Sequence, residues 1–281
     1  MSPPGRSSSR PAAATGWRVT RGTAPDRIVS TVDPESRHVH KTRTRRQDGY
    51  KAHLAIEPET TIHTEVELTP GAGSEHHEAA VARELLAGED RSVEAFGDTA
   101  YSTGTARQAL GEAGHTPFFK PVTQRPAVAG GFVLDDFRID GPGGTATCPA
   151  GRTVPLSPDR GPELARTANF GNRCTDCPLH ERCTTSKTGK NLRIQPGCDL
   201  QRTARQQAAD PAWQDAYRRW RPPVERAVAR LVGNRNRRLR HRGTTKNNAW
   251  LHTRAAALNL RTPINLGLTH NGTTWQIRAT A

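Results

Sequence analysis

The chain of 281 residues is long enough for one large domain or two small ones, with a sizeable buried core. Its 41 lysines and arginines exceed its 27 aspartates and glutamates, so the net charge of +14 favours a polyanionic partner over an acidic protein or a neutral small molecule. No apolar run approaches the ~18 residues of a membrane span, and no apolar segment typical of a secretory signal follows the N-terminal basic residues. These features predict a cytoplasmic protein.

The first half of the chain predicts mixed α/β structure. Residues 1–25 are rich in Pro, Ser, Arg and Gly and are expected to form a disordered basic N-terminus. The predicted elements that follow are strands at 49–57 and 61–69, a helix at 75–87, a strand at 93–97, a helix capped by Ser102 or Thr103, and a strand at 116–120. A hairpin followed by alternating strands and helices indicates a partly parallel sheet.

Composition divides the rest of the chain. Gly and Pro are dense in residues 121–200, and all five cysteines lie there, so this segment is interpreted as an insertion. The predicted divisions are the N-terminus (1–25), the first part of the α/β domain (26–120), the cysteine-rich insertion (121–200), the C-terminal helices with a basic segment (201–265) and a frayed tail (266–281).

The C-terminal helices have clear boundary signals. Asp210 is suited to an N-cap, and Pro211 to the first helical position. Pro222-Pro223 is expected to break this helix and to begin the next. A last helix is predicted over 246–260, ended by Thr262-Pro263.

The cysteine spacing predicts a structural zinc site. A pair two residues apart can hold one tetrahedral zinc ion from a tight turn, and two further thiolates complete the ligands. The proposed ligands are Cys148, Cys174, Cys177 and Cys183. His180 could replace one of them, and Cys198 is not expected to be a ligand. The alternative is a set of buried free thiols without metal.

Two carboxylates are candidates for a metal-dependent active site. Asp98 lies between a strand and a helix, where a carboxylate is held rigidly at a sheet edge, although helix capping or turn formation is the alternative. Glu225 is the only acid between Arg218 and Lys246, a stretch with eleven basic residues. Such a stretch would bind DNA phosphates, and a nuclease needs an acid for its metal within it. The alternative is a basic helix with one Glu–Arg pair.

Nine short motifs occur in order along the chain. They are Asp33-Pro-Glu-Ser-Arg, Asp48-Gly-Tyr-Lys-Ala-His, Val66-Glu-Leu-Thr-Pro70, Gly97-Asp98-Thr-Ala-Tyr101-Ser, Cys148-Pro-Ala-Gly, Cys174-x2-Cys177-Pro-Leu-x3-Cys183-Thr, Tyr217-Arg218-x2-Arg221-x3-Glu225-Arg226, Arg242-Gly-x2-Lys246 and Ala257-Leu-Asn-Leu260. In this order they resemble the DDE-type transposases of bacterial insertion sequences, most closely the branch with a cysteine-bearing insertion before the last catalytic helix. The likeness covers roughly residues 22–268.

The resemblance implies a ribonuclease-H-like mixed sheet flanked by helices. In that family two aspartates and one glutamate hold two divalent metals, Mg²⁺ or Mn²⁺, for cleavage and strand transfer of DNA. By motif match, Asp98 would be the second aspartate and Glu225 the glutamate. The implied DNA contacts are Tyr217, Arg218, Arg221, Arg226, Arg242 and Lys246. The implied partner is double-stranded DNA, at transposon ends and target, near the nucleoid. A homo-oligomer is left open, and neither a membrane nor a small-molecule substrate is implied.

The sequence also departs from the family pattern. No Asp followed by Gly-Thr or Ser-Thr precedes Asp33, so the first catalytic aspartate has only Asp26 and Asp33 as substitutes, and Asp33 is a weak candidate. A lysine expected after Glu225 is absent. We therefore expect a truncated copy without cleavage activity, because two carboxylates hold a metal pair poorly. The alternatives are a non-enzymatic, zinc-stabilised DNA-binding protein and a fragment that inhibits an intact transposase.

Overall fold

The computed structural model describes residues 27–40, 46–161 and 164–277, so the predicted disorder of residues 1–25 lies outside the described residues. The strands are β1 (Arg37–His40), β2 (Arg46–Ile56), β3 (His63–Pro70), β4 (Glu94–Gly97), β5 (Thr116–Phe119), β6 (Arg138–Asp140), β7 (Thr145–Thr147), β8 (Thr153–Pro155), β9 (Arg166–Asn169), β10 (Asn191–Ile194), β11 (Leu268–His270) and β12 (Trp275–Ile277). The helices are α1 (Glu78–Val81), α2 (Gly104–Glu112), α3 (His180–Cys183), α4 (Cys198–Gln207), α5 (Pro211–Val232) and α6 (Thr244–Asn265). No helix within the described residues is long and apolar enough to cross a membrane.

The chain divides into two compact units. The hairpin unit contains the described residues up to Val81 and from Pro223 onwards, and the central unit is Ala82–Pro222. The strands pair into five small sheets among the described residues. The mixed α/β prediction is therefore confirmed, whereas a single ribonuclease-H-like sheet stays a prediction.

The predicted hairpin forms most of the three-stranded sheet of the hairpin unit. β2 pairs antiparallel with β3, and β1 pairs with the other edge of β2. The connecting turn is closed by the Glu57 carboxylate, which accepts hydrogen bonds from the amides of Glu59 and Thr60 at 2.8 and 2.7 Å. A carboxylate that binds amides of its own turn fixes the turn, and hence the strand register.

Helix α6 covers β3 and satisfies part of its edge. The Asn248 side chain accepts a hydrogen bond from the Leu68 amide, and Asn259 bonds both the amide and the carbonyl of His63. The two asparagines are eleven residues apart on a helix and their targets five residues apart on a strand, and both separations correspond to about 16 Å. Beneath these contacts lies a core of Val66, Leu68, Leu231, Leu251 and Ala255.

The proline prediction for α5 is wrong. The helix continues from Pro211 to Val232 through Pro222-Pro223, although prolines cannot donate to the carbonyls four residues earlier. Burial explains the continuity, because Pro223, Ala227 and Leu231 recur every four residues and form one buried stripe. Likewise α6 extends to Asn265, past Pro263.

Two further predictions need correction. The helix expected over 75–87 is only the single turn α1 and a 3-10 turn, Glu84–Leu86, because packing buries Val81 and Leu85 without requiring one continuous axis. The expected frayed tail contains the hairpin of β11 and β12, whose turn is closed by the Asn271 side chain.

The central unit begins with a β-α-β arrangement. β4 and β5 are parallel, and α2 connects them. The Thr103 side chain caps α2 by accepting a hydrogen bond from the Ala106 amide at 3.1 Å, as predicted. Leu110 of α2 is fully buried with Ala82 and Phe119.

The cysteine-rich segment has its own apolar core. β6, β7 and β8 form one antiparallel sheet and β9 pairs with β10. The buried residues of this core are Phe137, Ala146, Val154, Leu156, Ala168, Phe170, Cys183, Leu192 and Ile194. The segment thus buries more apolar surface than its polar composition suggested.

Candidate functional site

Asp98 lies immediately after β4, at the start of the turn that leads into α2. One of its carboxylate oxygens accepts a hydrogen bond from the Ala100 amide at 2.9 Å, and its carbonyl accepts one from Tyr101. The side chain is 46% exposed. The turn therefore fixes the carboxylate while leaving it accessible to an ion from solvent.

Helix α5 contacts this turn through two side chains. The Tyr217 hydroxyl donates to the carbonyl of Gly97 at 3.2 Å, and an Arg221 guanidinium nitrogen lies 3.5 Å from the other oxygen of Asp98. Residues four apart share one face of a helix, so both side chains reach the same strand end. Arg218, by contrast, is exposed and pairs with Asp215.

Four aromatic rings connect α5 to the parallel strands. Phe96 stacks on Phe118 at 4.8 Å, Phe118 on Trp213 at 6.2 Å, and Trp213 on Tyr217 at 5.1 Å between ring centroids. Stacked aromatic rings add to the stability that their burial gives. The sequence carries no local signal for this stack of rings, because the four residues come from three separate elements.

Glu225 and the predicted DNA contacts lie farther along the chain. Glu225 and Arg226 are exposed on α5, in the part that belongs to the hairpin unit. Arg242 is also exposed, at the end of the basic loop that connects α5 to α6 (residues 233–243), and Lys246 is exposed in the first turn of α6. Arg226, Arg242 and Lys246 each present a positive charge to solvent, which suits contact with DNA phosphates.

The basic loop before α6 is held in place by Asn247, whose side chain is fully buried. Its amide donates to the carbonyls of His241 and Gly243, both at 2.8 Å, and its oxygen accepts from the His241 amide at 3.1 Å. Gly243 has φ of 79°, a conformation that favours glycine. The end of the loop is therefore ordered, while the side chain of Arg242 remains exposed.

The weak candidate Asp33 takes part in a different contact. It accepts hydrogen bonds from the Tyr50 hydroxyl at 2.5 Å and from the Gly243 amide at 3.2 Å. Burial and the Asp33 carboxylate both raise the pKa of Tyr50. Close by, Glu35 binds the amide of Thr244 at 2.8 Å, and hydrogen bonds from Thr244 lower the Glu35 pKa. The segment that contains Asp33 thus ties the N-terminus of α6 to β2.

The four predicted zinc ligands line one cavity. Its lining includes Cys148, Cys174, Cys177 and Cys183 together with His180, whereas Cys198 is not part of the lining. The Lys190 amide lies 3.4 Å from the sulfur of Cys174. Burial raises the pKa of Cys183, and the three other thiols of the cavity act in the same direction.

The geometry of the thiols is nevertheless not that of a formed metal site. Across the ranges that the structure describes, no group of three or more His, Cys, Asp or Glu side chains is arranged to hold a metal ion. The structure thus places the four cysteines around a shared cavity, but it does not support zinc by a ligand cluster. The aspartates and glutamates of the described residues likewise form no group of three that is arranged to hold a metal ion.

Comparison with known families adds one match. Residues 147–262 match the family model described as the transposase DDE domain. The match supports a DDE-type transposase. The matched segment includes all five cysteines, α4, α5 and the basic loop, while Asp98 precedes it. Neither the curated proteins nor the solved structures gave a match.

Proposed function

We propose that the chain is a transposase of the type that acts on DNA by metal-dependent strand cleavage and strand transfer at insertion-sequence ends, with Asp98 and Glu225 as its metal-binding carboxylates, and that this copy is inactive in cleavage by itself. One observation supports the proposal above all. Tyr217 and Arg221, which lie in the matched segment, contact the strand end that carries Asp98, which lies outside it. Two residues of the matched segment therefore contact the strand end of the predicted carboxylate, and all of these residues lie in the central unit.

The carboxylate of Asp98 suits a hard divalent cation. Mg²⁺ and Mn²⁺ prefer oxygen ligands, and the side chain is half-exposed and rigidly held. A bound cation would activate the attacking hydroxyl and stabilise the leaving oxygen. Arg221 supplies a positive charge beside the carboxylate, so a cation and Arg221 compete for Asp98.

The basic side chains supply the DNA-binding surface. Arg218, Arg226, Arg242 and Lys246 are exposed, and Tyr217 and Arg221 complete the proposed set at the turn of Asp98. Contacts of this kind bind the phosphate backbone of double-stranded DNA and carry little sequence information.

Two further parts of the proposal concern the location and a second ion. We propose that the protein acts at the bacterial nucleoid. We also propose that the four cysteines of the cavity hold a zinc ion with a structural role.

The test begins with cation binding in the presence of DNA. Wild-type protein is expected to bind Mn²⁺, measured by electron paramagnetic resonance of the free ion, and Asp98→Asn is expected to lose this binding. The exposed Asp90 provides a matched control, and Asp90→Asn should bind Mn²⁺ normally. Equal Mn²⁺ binding by wild type and Asp98→Asn would contradict the proposed role of Asp98.

Cleavage is the second measurement. We expect no Mg²⁺- or Mn²⁺-dependent cleavage of end-bearing DNA by this chain alone, because Asp33 is engaged by Tyr50 and Gly243 and no carboxylate trio occurs in the described part of the chain. Cleavage that disappears in Asp98→Ala would show an active enzyme and overturn the predicted inactivity.

A second candidate function is DNA binding without catalysis, either as a zinc-stabilised binding protein or as a fragment that inhibits an intact transposase. The exposed basic loop favours it. Glu225→Gln separates the two functions. A metal-binding carboxylate is needed for Mn²⁺ affinity but not for DNA affinity, so a transposase loses only the former. A pure binder loses neither, and its DNA affinity rises as a negative charge is removed.

A further inference from the structure

The turn that carries Asp98 has an outer face, which is exposed to solvent, and an inner face, which is buried in the protein. Asp98 is half-exposed, whereas Ser102, four residues later, is only 1% exposed. A polar residue buried in this way must have its hydrogen bonds made by the protein. The groups that bind Ser102 therefore stabilise the turn from its buried, inner face.

Two side chains bind Ser102 from the inner face. Arg107, which is buried in α2, donates to the Ser102 hydroxyl at 2.8 Å and to the carbonyl of Phe119 at 2.6 Å. Gln201 of α4 donates to the Ser102 carbonyl. Gln201 thus connects the turn to α4, a helix that begins at Cys198, within the last residues of the cysteine-rich segment.

The backbones of α2 and α4 also touch at two glycines. A Cβ atom on Gly104 would lie 2.3 Å from the carbonyl oxygen of Pro196, and one on Gly197 would lie 2.6 Å from the Cα atom of Gly104. Neither position can accept a side chain without a backbone shift. Gly197, with φ of 65°, directly precedes α4, so the start of this helix is fixed against the start of α2.

We propose that Gln201, together with the Gly104–Gly197 contact, positions Asp98 for cation binding. The inference rests on the proposed function, because it takes Asp98 as a metal ligand. Gln201 holds Ser102, Ser102 closes the inner face of the turn, and the turn fixes the direction of the Asp98 carboxylate. Gln201 is a positioning residue in this arrangement, and the chain that leaves the cysteine-rich segment thereby supports the cation site.

The chemistry of Gln201 makes a selective test feasible. Its side-chain oxygen is buried and accepts no hydrogen bond in the part of the chain that the structure describes. Gln201→Met keeps the size of the side chain and removes this unsatisfied acceptor along with the donor to Ser102. The overall fold is therefore expected to survive, and circular dichroism checks this. Gln206→Met is the matched control, since Gln206 is exposed on the same helix.

The experiment combines hydrogen–deuterium exchange with Mn²⁺ binding on the full chain. In Gln201→Met the amides of residues 98–103 should exchange faster, and the Kd for Mn²⁺ should rise about tenfold, as for other groups that orient a metal ligand. Gln206→Met should match wild type in both. A structural role alone would change exchange without changing Mn²⁺ affinity.

Each result decides between these possibilities. Unchanged exchange in residues 98–103 overturns the support by α4, and faster exchange with unchanged Mn²⁺ affinity overturns the positioning role. If wild type binds no Mn²⁺ through Asp98, the proposed function fails, and positioning for metal fails with it. In that case the exchange result still shows separately whether Gln201 supports the turn.

Discussion

Replacing His53 with glutamine is expected to remove a large part of the acid sensitivity of the hairpin unit. His53 is 2% exposed, and its Nε2 atom lies 3.0 Å from the Thr69 hydroxyl. Burial lowers its pKa from 6.5 to about 4. The neighbouring Glu78 opposes this shift, while Lys51, His76 and His77 add to it.

The sign of the effect follows from the depressed pKa. Between pH 6.5 and pH 4 the unfolded chain binds a proton at this position and the folded chain does not, so stability is lost as the pH falls through this window. A difference of 2.5 pKa units, from 6.5 to about 4, corresponds to about 3 kcal/mol of unfolding free energy. His53→Gln keeps a donor that can reach Thr69 but does not titrate.

Urea unfolding of both proteins at several values between pH 7.5 and pH 4 measures the effect. The variant should lose about 3 kcal/mol less than wild type over this range. Burial also lowers the pKa of His63, so some acid sensitivity remains in the variant. His252→Gln is the control, because His252 is exposed. An equal loss in wild type and His53→Gln, or an NMR titration of His53 near pH 6.5, would refute the reasoning.

Three further outcomes are expected. Leu110→Ala should lower the unfolding free energy by about 2–5 kcal/mol, measured by urea unfolding, because Leu110 is fully buried. Lys246→Ala should reduce the slope of log K against log salt for DNA binding by about 0.9, whereas Lys187→Ala, which is not among the proposed DNA contacts, should leave it unchanged. Protein dialysed after zinc loading should retain zinc by atomic absorption in wild type and Cys198→Ser, but not in Cys174→Ser. A zinc content equal in all three proteins would count against the cysteine cavity as the site.

Local signals predicted local structure well. The Thr103 cap and the start of α5 depend on neighbouring residues only: Asp210 accepts a hydrogen bond from the Ala212 amide, and Pro211 begins the helix. The hairpin of β2 and β3 was likewise predicted from alternation. Such features need no knowledge of distant contacts, because the stabilising partners lie within a few residues.

The continuation of α5 could not be predicted in this way. Proline lacks the amide hydrogen, so Pro222-Pro223 is a sound local signal for a helix end. The structure overrides it through the buried stripe of Pro223, Ala227 and Leu231, which exists only when the helix continues. Tertiary burial of three residues thus outweighs two missing hydrogen bonds, and sequence spacing does not show which of the two effects is larger.

The candidate site shows the same limit at longer range. The spacing of Tyr217 and Arg221 places them on one helix face, but their partners at Gly97 and Asp98 are more than a hundred residues earlier. The resemblance implied DNA contacts for both residues, whereas the structure brings them to the Asp98 turn. A residue that pairs with a carboxylate can contact phosphate only after the carboxylate has another counter-ion. Cation binding at Asp98 and phosphate binding at Arg221 should therefore favour one another, and Mn²⁺ affinity should rise when DNA is added.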